Sequence, residues 1–314
     1  MKQLAVLIPC YNEALTIKKV VTECIEAVKG YDAEVIVYDN NSTDKTDEIA
    51  RNAGATVRYE YMQGKGNVIR RMFREIDAEC YIMIDGDDTY PAAAIPKMAE
   101  IVFNKKADMV VGDRLSSTYF TENKRRFHNA GNKVVRSFVN NIFKSDILDI
   151  MTGFRAFSYN FVKTFPVISS GFEIETEMTI HALDKRMFVE NYIISYQDRP
   201  DGSESKLNTL SDGLNVIKTI FRLFRSYKPL SFFSIIGAIL FVIAIGVFIP
   251  IVLIPYINTG LVETFPTLIV CGITLLISLL SFSTGLILDN SVQQERREFE
   301  FRLQIIESKR KNLL

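Results

Sequence analysis

The sequence predicts an α/β protein with a doubly wound, mostly parallel sheet, followed by an amphipathic helix and two transmembrane helices. Across residues 1–195, short apolar runs alternate with segments of helical spacing, which is typical of parallel strands joined by crossover helices. Across residues 232–288, Glu263 is the one charged residue. The two apolar stretches in that region each exceed the roughly 20 residues that a helix needs to cross a bilayer.

Each predicted element follows from a local pattern. The apolar runs are short and continuous, as expected for strands that are buried on both faces. The first helix shows apolar residues at helical spacing after Asn12, a capping residue, and the third helix opens at Gly64-Lys65-Gly66. The predicted strands cover residues 4–9, 33–38, 56–59, 81–85, 108–112 and 188–195. The predicted helices cover residues 13–28, 43–53, 64–73, 91–102, 124–143, 173–185 and 210–227.

Composition sets limits on the class of protein. The 314 residues carry 37 basic and 37 acidic side chains, a balance that does not indicate a nucleic-acid partner. The four cysteines are widely spaced and form no CxxC pair, so we expect neither a disulfide framework nor a zinc site. The apolar run at residues 4–8 is too short for the core of a signal peptide. We therefore expect the soluble part to stay in the cytoplasm.

We predict four segments along the chain: a cytoplasmic α/β domain at 1–210, an amphipathic juxtamembrane helix at 211–230, a two-helix transmembrane hairpin at 231–289 and a cytoplasmic helix at 290–314. The helix before the hairpin carries apolar residues on one face and basic residues largely opposite, which suits an anionic membrane surface. An ordinary core-facing helix is the alternative. A buried helical hairpin is the alternative to the two spans, and Pro250 and Pro255 are expected to kink or end the first of them.

The distribution of basic residues predicts the topology. The connection at residues 258–264 contains no Lys or Arg, whereas basic residues flank the outer ends of both spans. By the positive-inside rule, both termini then lie in the cytoplasm and the connection lies outside.

Polar residues follow three of the predicted strands. The sequence Asp85-Gly86-Asp87-Asp88 comes directly after the fourth strand, and hard oxygen donors of this kind suit Mg²⁺ or Mn²⁺. An acidic turn that faces water is the alternative. Residues 9–13 follow the first strand and residues 39–46 the second, so all three groups are expected at one edge of the sheet, where α/β proteins bind ligands.

Two further features of this edge have competing interpretations. Asp39, at the end of the second strand, can accept hydrogen bonds from the N–H of a nucleotide base, or it can belong to a helix-capping turn. Gly64-Lys65-Gly66 offers a flexible backbone and a cation for a diphosphate, or it is a simple glycine-rich turn.

Together these strand ends resemble the family 2 glycosyltransferases of the GT-A fold, and the resemblance covers the whole soluble part. It implies that Asp39 binds the uracil ring and that Asp85 and Asp87 form the metal-binding DxD motif. Asp87 is then the direct metal ligand, while Asp85 meets the metal through water or contacts the ribose or the sugar. The residues that it assigns to nucleotide-sugar binding are Pro9, Tyr11, Glu13, Asp39, Asn41, Lys65, Asp85 and Gly86.

Three more segments narrow the resemblance to the polyisoprenyl-phosphate glycosyltransferases, such as dolichol-phosphate mannose synthases and bactoprenol glucosyltransferases. These are residues 112–114, 149–157 and 199–206. The resemblance implies catalytic roles for Asp87, Asp149 and Arg155, with Asp149 either a base or an orienting residue. It assigns the acceptor phosphate to Arg114, Arg199, Ser205 and Lys206, with Arg155 as a further candidate. A solvated charged loop is the alternative for residues 199–206. The segment 172–175 and His128 match no assigned role in the family, although Glu175 is a candidate to face the acceptor or the sugar hydroxyls.

The expected function is the inverting transfer of a hexose from a nucleotide sugar to polyprenyl phosphate at the cytoplasmic membrane face, in the biosynthesis of cell-envelope glycans. Glucose or N-acetylglucosamine on UDP is favoured over mannose, with Mg²⁺ or Mn²⁺ as cofactor and an undecaprenyl- or dolichyl-type lipid. A homo-oligomer is also expected. The alternatives are a polysaccharide-type transferase that acts on a sugar hydroxyl, or a non-catalytic membrane scaffold. The polysaccharide-type transferase lacks support, because the QxxRW-type motif of such enzymes requires a Trp and the chain contains none.

Overall fold

The computed structural model describes residues 1–116, 126–171, 173–197, 199–200 and 221–311. The chain forms two compact units: one contains Met1–Gly213 together with Phe299–Leu314, and the other contains Leu214–Glu298.

The first unit is built on a mixed sheet of seven strands in the described part of the chain, in the order β3-β2-β1-β4-β6-β5-β7. The strands are β1 (Lys2–Cys10), β2 (Ala33–Asp39), β3 (Thr56–Tyr59), β4 (Ala78–Met83), β5 (Met109–Asp113), β6 (Arg155–Ser158) and β7 (Val189–Ile193). Only β6 runs antiparallel to its neighbours, β4 and β5. The predicted mostly parallel sheet is therefore confirmed.

Helices cover both faces of this sheet. They are α1 (Ile17–Ala27), α2 (Thr46–Asn52), α3 (Lys65–Glu75), α4 (Ile95–Lys105), α5 (Arg126–Phe143), α6 (Tyr159–Thr164) and α7 (Ile174–Asp184). Successive side chains of a strand point to opposite faces. Accordingly Val6 and Ile8 of β1 pack in one core cluster with α1, while Leu7 packs in a second cluster with α3. The continuous apolar runs in the sequence reflect this burial on two faces.

Strand β6 was not predicted from the sequence. It has only four residues, begins with a charged residue and contains no apolar run. Its pairing with β4 places Arg155 opposite Met83, close to the point where the carboxylates of residues 85–88 begin. The segment interpreted from its motif as part of the acceptor site therefore also completes the centre of the sheet.

Helices α1 and α2 begin three to four residues later than predicted, at Ile17 and Thr46. The residues that were expected to cap them instead connect the loops after β1 and β2. The amide of Glu13 donates to the hydroxyl of Thr46 over 2.8 Å, and Asn12 Oδ1 accepts from the amide of Thr43 over 2.8 Å. These bonds hold two of the three polar strand ends together.

The second unit contains α8 (Pro229–Phe248), a wider π-helical turn (Ile249–Leu253), α9 (Ile254–Thr259) and the first part of α10 (Phe265–Lys311). Both helical stretches are long and apolar enough to cross a membrane. Only 17% of the residues are buried in the most apolar part of the first stretch, and only 11% in that of the second. They do not form the buried helical hairpin that was the alternative to two membrane spans. Regular α-helical geometry ends at Phe248, and the helical path continues to Thr259, with Pro250 at the start of the π-helical turn and Pro255 at the start of α9.

Small residues bring the two apolar helices into close contact. The hydroxyl of Ser278 donates to the carbonyl of Gly237 over 2.8 Å, and a Cβ at Gly285 would lie 3.1 Å from the Cβ of Phe233. Small residues at such positions are a common way to pack helices that lack a hydrophobic driving force in lipid.

The last part of α10 belongs to the first unit. Phe299 is buried, with its ring 5.6 Å from that of His181 in α7, and Ile306 packs against the core. Helix α10 runs without a break through the predicted boundary at residue 290. The first half of the predicted amphipathic helix, residues 211–220, lies outside the described residues, and residues 221–227 are helical.

Candidate functional site

The carboxyl ends of β1, β2 and β4 meet at one edge of the sheet, as predicted. Asp39 is the last residue of β2 and is 3% exposed. Its Oδ2 atom accepts a hydrogen bond from the amide of Ser42 over 2.9 Å. Its Oδ1 atom is buried and has no hydrogen-bond partner in the described part of the chain. A buried polar atom without a partner is rare in folded proteins, so this oxygen is available to a donor on a ligand.

The sequence analysis missed the role of Asn40, the next residue. Its Oδ1 atom accepts from the amide of Gly64 over 2.8 Å, and its Nδ2 atom donates to the carbonyls of Glu60 and Met62 over 2.7 and 2.9 Å. Asn40 therefore ties the end of β2 to the turn that carries Lys65. Its position inside the predicted polar strand end is the signal that could have identified it.

The remaining predicted nucleotide-side residues surround this edge. Glu13 is 9% exposed and Tyr11 is 37% exposed, while Pro9 is partly buried. The amide of the exposed Asn41 side chain donates to the carbonyl of Tyr61 over 2.9 Å. The structure therefore brings these residues to the site with different degrees of access.

Lys65 lies between two carboxylates. Its Nζ atom is 2.7 Å from Asp85 Oδ1 and 2.7 Å from Glu175 Oε1. Burial by itself lowers the pKa of Lys65, but the two carboxylates, Asp85 foremost, outweigh it and raise the pKa above its ordinary value. Burial raises the pKa of Glu175, against the opposing effect of Lys65. Lys65 is therefore a largely buried, charged ammonium at the end of β4, with 11% of its side chain exposed.

Asp87 is held by the loop that follows it and by Arg199. The hydroxyl of Thr89 donates to Asp87 Oδ1 over 2.6 Å, and Arg199 Nη2 lies 2.5 Å from Asp87 Oδ2. Arg199 Nη1 is 3.8 Å from Glu13 Oε1. The arginine that the sequence analysis assigned to the acceptor phosphate thus contacts a predicted metal ligand in this structure.

Two glycines shape the acidic turn. A Cβ at Gly153 would collide with the carboxylate of Asp85, so this position in the 149–157 segment has no room for a side chain. A Cβ at Gly86 would lie 2.7 Å from the sulfur of Cys10, and the carbonyl of Gly86 accepts from the Thr16 hydroxyl over 2.6 Å. Gly86 therefore packs the turn against the loop after β1.

The donor set suits a divalent cation that shares its coordination with a substrate. The described residues contain no cluster of three or more His, Cys, Asp or Glu that could hold a metal ion by itself. Mg²⁺ is usually bound by one or two carboxylates plus substrate phosphates and water. Asp85 and Asp87 fit this pattern. Asp88 turns instead toward α1, where its carboxylate pairs with Lys19 over 2.8 Å.

Arg114 and Asp149 form a buried ion pair. Arg114 Nε lies 2.7 Å from Asp149 Oδ2, and Nη2 lies 3.2 Å from Oδ1. Asp149 is 0% exposed, and the Arg114 guanidinium also lies 5.9 and 5.8 Å from the ring centres of Tyr90 and Tyr196. Both carboxylate oxygens of Asp149 are therefore engaged by the Arg114 guanidinium.

Arg155, which was expected to act in catalysis or to contact the acceptor phosphate, has a side chain that is 0% exposed. Its guanidinium donates to the carbonyls of Ile150 and Thr152 over 2.6 and 3.0 Å and to the hydroxyl of Thr179 over 2.8 Å. Burial lowers the pKa of Arg155 to about 10. Its contacts therefore hold the 149–153 loop from inside the core.

Ser205 and Lys206, which were assigned to the acceptor phosphate, lie outside the described residues, and the side chain of His128 does so too.

Comparisons with known proteins agree with this geometry. Residues 5–165 match the family model described as glycosyl transferase family 2. The glycosyltransferase AglJ of Haloferax volcanii is 33% identical over 233 residues, which cover 74% of this chain and 75% of that protein. The dolichyl-phosphate hexose transferase of the same organism is 29% identical over 217 residues, which cover 69% of this chain and 92% of that protein.

Solved structures show the same fold. Glucosyl-3-phosphoglycerate synthase of Mycobacterium tuberculosis, in complex with Mn²⁺, UDP and phosphoglyceric acid, superimposes with a TM-score of 0.57. The superposition covers 72% of this chain and 78% of that chain at 17% sequence identity.

Proposed function

Because the chain belongs to glycosyl transferase family 2, whose activity and GT-A fold it shares, we propose that it transfers a hexose from a nucleotide sugar to polyprenyl phosphate. The favoured donor is UDP-glucose or UDP-N-acetylglucosamine, ahead of a mannose donor. The transfer takes place at the cytoplasmic face of a membrane and inverts the anomeric centre.

One observation carries the donor side of this proposal. Asp85 and Asp87 at the end of β4 are each paired with a cation, at the same edge where Asp39 presents a buried oxygen without a partner in the described chain. A nucleoside diphosphate with a divalent cation requires three kinds of group at one edge of the sheet. These are carboxylates for the metal ion, positive charge for the diphosphate and an oxygen that accepts a hydrogen bond from the nucleotide base.

Each donor-side residue then has a defined task. Asp39 Oδ1 accepts a hydrogen bond from an N–H of the base, and Pro9, Tyr11, Glu13 and Asn41 line the nucleoside. Asp85 and Asp87 are the residues that would hold Mg²⁺ or Mn²⁺, and the cation would supply positive charge for the diphosphate leaving group. Lys65 adds a fixed positive charge on the same side.

The acceptor side is proposed from the chemistry of a phosphate monoester. Its second pKa is about 6, so the attacking oxygen is largely ionised at neutral pH and needs no strong base. This agrees with an Asp149 that orients Arg114 rather than accepting a proton. Arg114 and Arg199, with Ser205 and Lys206, are the residues that we assign to the acceptor phosphate.

Two observations support a lipid acceptor. A relative that is 29% identical is named a dolichyl-phosphate hexose transferase, and the chain has two helices that are long and apolar enough to cross a membrane. A sugar-hydroxyl acceptor would require a carboxylate base, and Asp149 is paired with Arg114 instead. The polyprenyl phosphate is therefore the better-supported acceptor.

Mass spectrometry tests this function directly. The full chain in detergent, with Mn²⁺ and polyprenyl phosphate, should convert one member of a panel of nucleotide sugars into a hexosyl polyprenyl phosphate. Undecaprenyl and dolichyl phosphate should be supplied separately, and free polyprenol without the phosphate is the control acceptor. Donor hydrolysis without any lipid product, or transfer to an oligosaccharide, would contradict the proposed acceptor.

We also propose that both termini and the catalytic unit lie in the cytoplasm. A cysteine at Thr259, in a chain whose four native cysteines are replaced, should react with an impermeant thiol reagent added to intact cells, whereas a cysteine at Ser308 should not. Both positions are exposed, so accessibility within the protein does not limit the reaction. Labelling at Ser308 but not at Thr259 would reverse the topology.

A further inference from the structure

The first turn of α7 carries two carboxylates that reach the glycine-rich turn by different routes. Glu175 is 4% exposed, and its Oε1 atom lies 2.7 Å from Lys65 Nζ. Glu177 accepts hydrogen bonds from the amides of Ile168 and Ser169 over 3.2 and 2.9 Å. From the sequence, Glu175 was a candidate to face the acceptor or the sugar hydroxyls, and Glu177 was given no role.

The backbone held by Glu177 packs directly on the turn around Lys65. The amide of Gly66 donates to the carbonyl of Ser170 over 3.0 Å. A Cβ at Gly64 would collide with the carbonyl of Ser170, and a Cβ at Gly66 with that of Ser169. The two glycines therefore allow a close backbone contact that holds the main chain of Lys65 in place. Glu175 holds the ammonium group at the other end of the same side chain.

The two carboxylates that share Lys65 differ in their exposure. The side chain of Asp85 is 22% exposed, whereas that of Glu175 is 5% exposed. An ammonium group has three donors, so it can bond to both carboxylates at once. The contact with Glu175 does not require the contact with Asp85. Lys65 can consequently keep its place at the end of β4 whether or not Asp85 is engaged elsewhere.

We propose that Glu175 is a positioning residue for the donor: it holds the Lys65 ammonium at the end of β4 independently of Asp85, facing the diphosphate of the nucleotide sugar. This proposal rests on the proposed function only for the nature of the donor. It assigns to Glu175 a part in nucleotide affinity without direct contact with the substrate.

The test compares two isosteric substitutions in one helical turn. Glu175→Gln removes the charge that holds Lys65, and Glu177→Gln removes the same charge from a residue that contacts backbone amides. The measurement is the dissociation constant of UDP, and separately of GDP, with Mn²⁺, by calorimetry on the full chain in detergent. Hydrogen bonds to charged groups contribute enough that we expect Glu175→Gln to weaken binding roughly tenfold. Glu177→Gln should weaken it less, by about threefold at most, because Lys65 keeps both of its carboxylates and the glutamine oxygen still accepts from one of the two amides.

A double-mutant cycle separates positioning from a structural role. In a Lys65→Met background, Glu175→Gln should weaken nucleotide binding by less than about twofold, because its effect passes through the missing ammonium. Glu175→Asp keeps the charge on a shorter side chain and should recover part of the affinity. A tenfold loss in both backgrounds, or no loss in the wild-type background, overturns the proposal.

Folding and function are checked separately. The four cysteines are all buried, so their reaction with a thiol-reactive dye reports unfolding and identifies a variant that fails to fold. If Glu175→Gln fails to fold, the nucleotide affinity of Glu175→Asp is measured in its place. If polyprenyl phosphate is not the acceptor, lipid product is absent while these nucleotide affinities stay as expected. Absence of UDP and GDP binding by the wild-type chain overturns both proposals.

Discussion

The donor and acceptor regions of the site differ in how much of each remains accessible. The residues assigned to the donor follow strands β1, β2 and β4, and they range from Asp39, which is 3% exposed, to Tyr11, which is 37% exposed. In the two central segments that resemble the acceptor side, at 112–114 and 149–157, the charged side chains lie deeper: Asp149 and Arg155 are 0% exposed and Arg114 is 8% exposed. A sequence motif can thus include residues that support a surface from inside the core.

The comparison predicts that loss of a donor carboxylate damages chemistry rather than folding. Asp87→Asn should lower transfer by about a hundredfold to a thousandfold, which is the usual loss when one preorganised electrostatic contact is removed. Its melting temperature should change little. Initial rates of lipid-product formation at limiting Mn²⁺ measure the effect.

Asp88→Asn is the matched control for this variant. It removes the adjacent carboxylate, which pairs with Lys19 of α1, and should keep activity within about threefold, because exposed ion pairs contribute little. Equal losses in the two variants would mean that the acidic turn acts through its total charge and that Asp87 has no special role.

Loss of the buried arginine should show the opposite behaviour. Arg155→Met keeps most of the side-chain volume but leaves the carbonyls of Ile150 and Thr152 without their donor. An unsatisfied buried acceptor costs about 1–3 kcal/mol, so we expect the free energy of unfolding to fall by about 2 kcal/mol or more. Reaction of the buried cysteines with a thiol dye during heating gives the shift in melting temperature.

Arg136→Met is the control for Arg155. Arg136 also donates to a loop carbonyl, that of Leu148 over 3.0 Å, but from a partly exposed position. Its loss should cost less because water can replace the donor. A stable Arg155→Met variant without transfer activity would return Arg155 to the catalytic residues.

Arg199 lies at the boundary between the two regions, and its substitution sharpens the comparison. It was assigned to the acceptor phosphate, yet its guanidinium contacts Asp87. We expect Arg199→Ala to slow transfer by roughly tenfold, carried by a higher KM for polyprenyl phosphate or a lower kcat. Nucleotide binding should be unchanged or tighter, because Asp87 loses a cation that competes for its oxygen.

Calorimetry with UDP and Mn²⁺, beside kinetics in the same detergent, separates the two regions for Arg199. A loss of nucleotide binding as large as the loss of transfer would assign Arg199 to the donor region. The acceptor phosphate would then depend on Arg114 and on the part of the 199–206 segment that lies outside the described residues.

The sequence by itself determined the parts of this protein that depend on local patterns. Continuous apolar runs with helices between them predicted the sheet, and two long uncharged stretches predicted the membrane-capable helices. Because parallel strands carry their carboxyl ends to one edge, the polar residues after β1, β2 and β4 were predicted to meet, and Asp39, Asp85 and Asp87 do lie at that edge.

The tertiary structure decided the contacts between residues that are far apart in the chain. The insertion of β6 between β4 and β5 buries Arg155, and a four-residue strand has too little pattern to be recognised in sequence. The pairing of Lys65 with Glu175, and of Asp87 with Arg199, joins elements that share no local signal. Which groups become partners depends on how the elements pack, because a charge that leaves water must find either an opposite charge, as Lys65 does, or hydrogen-bond acceptors, as Arg155 does.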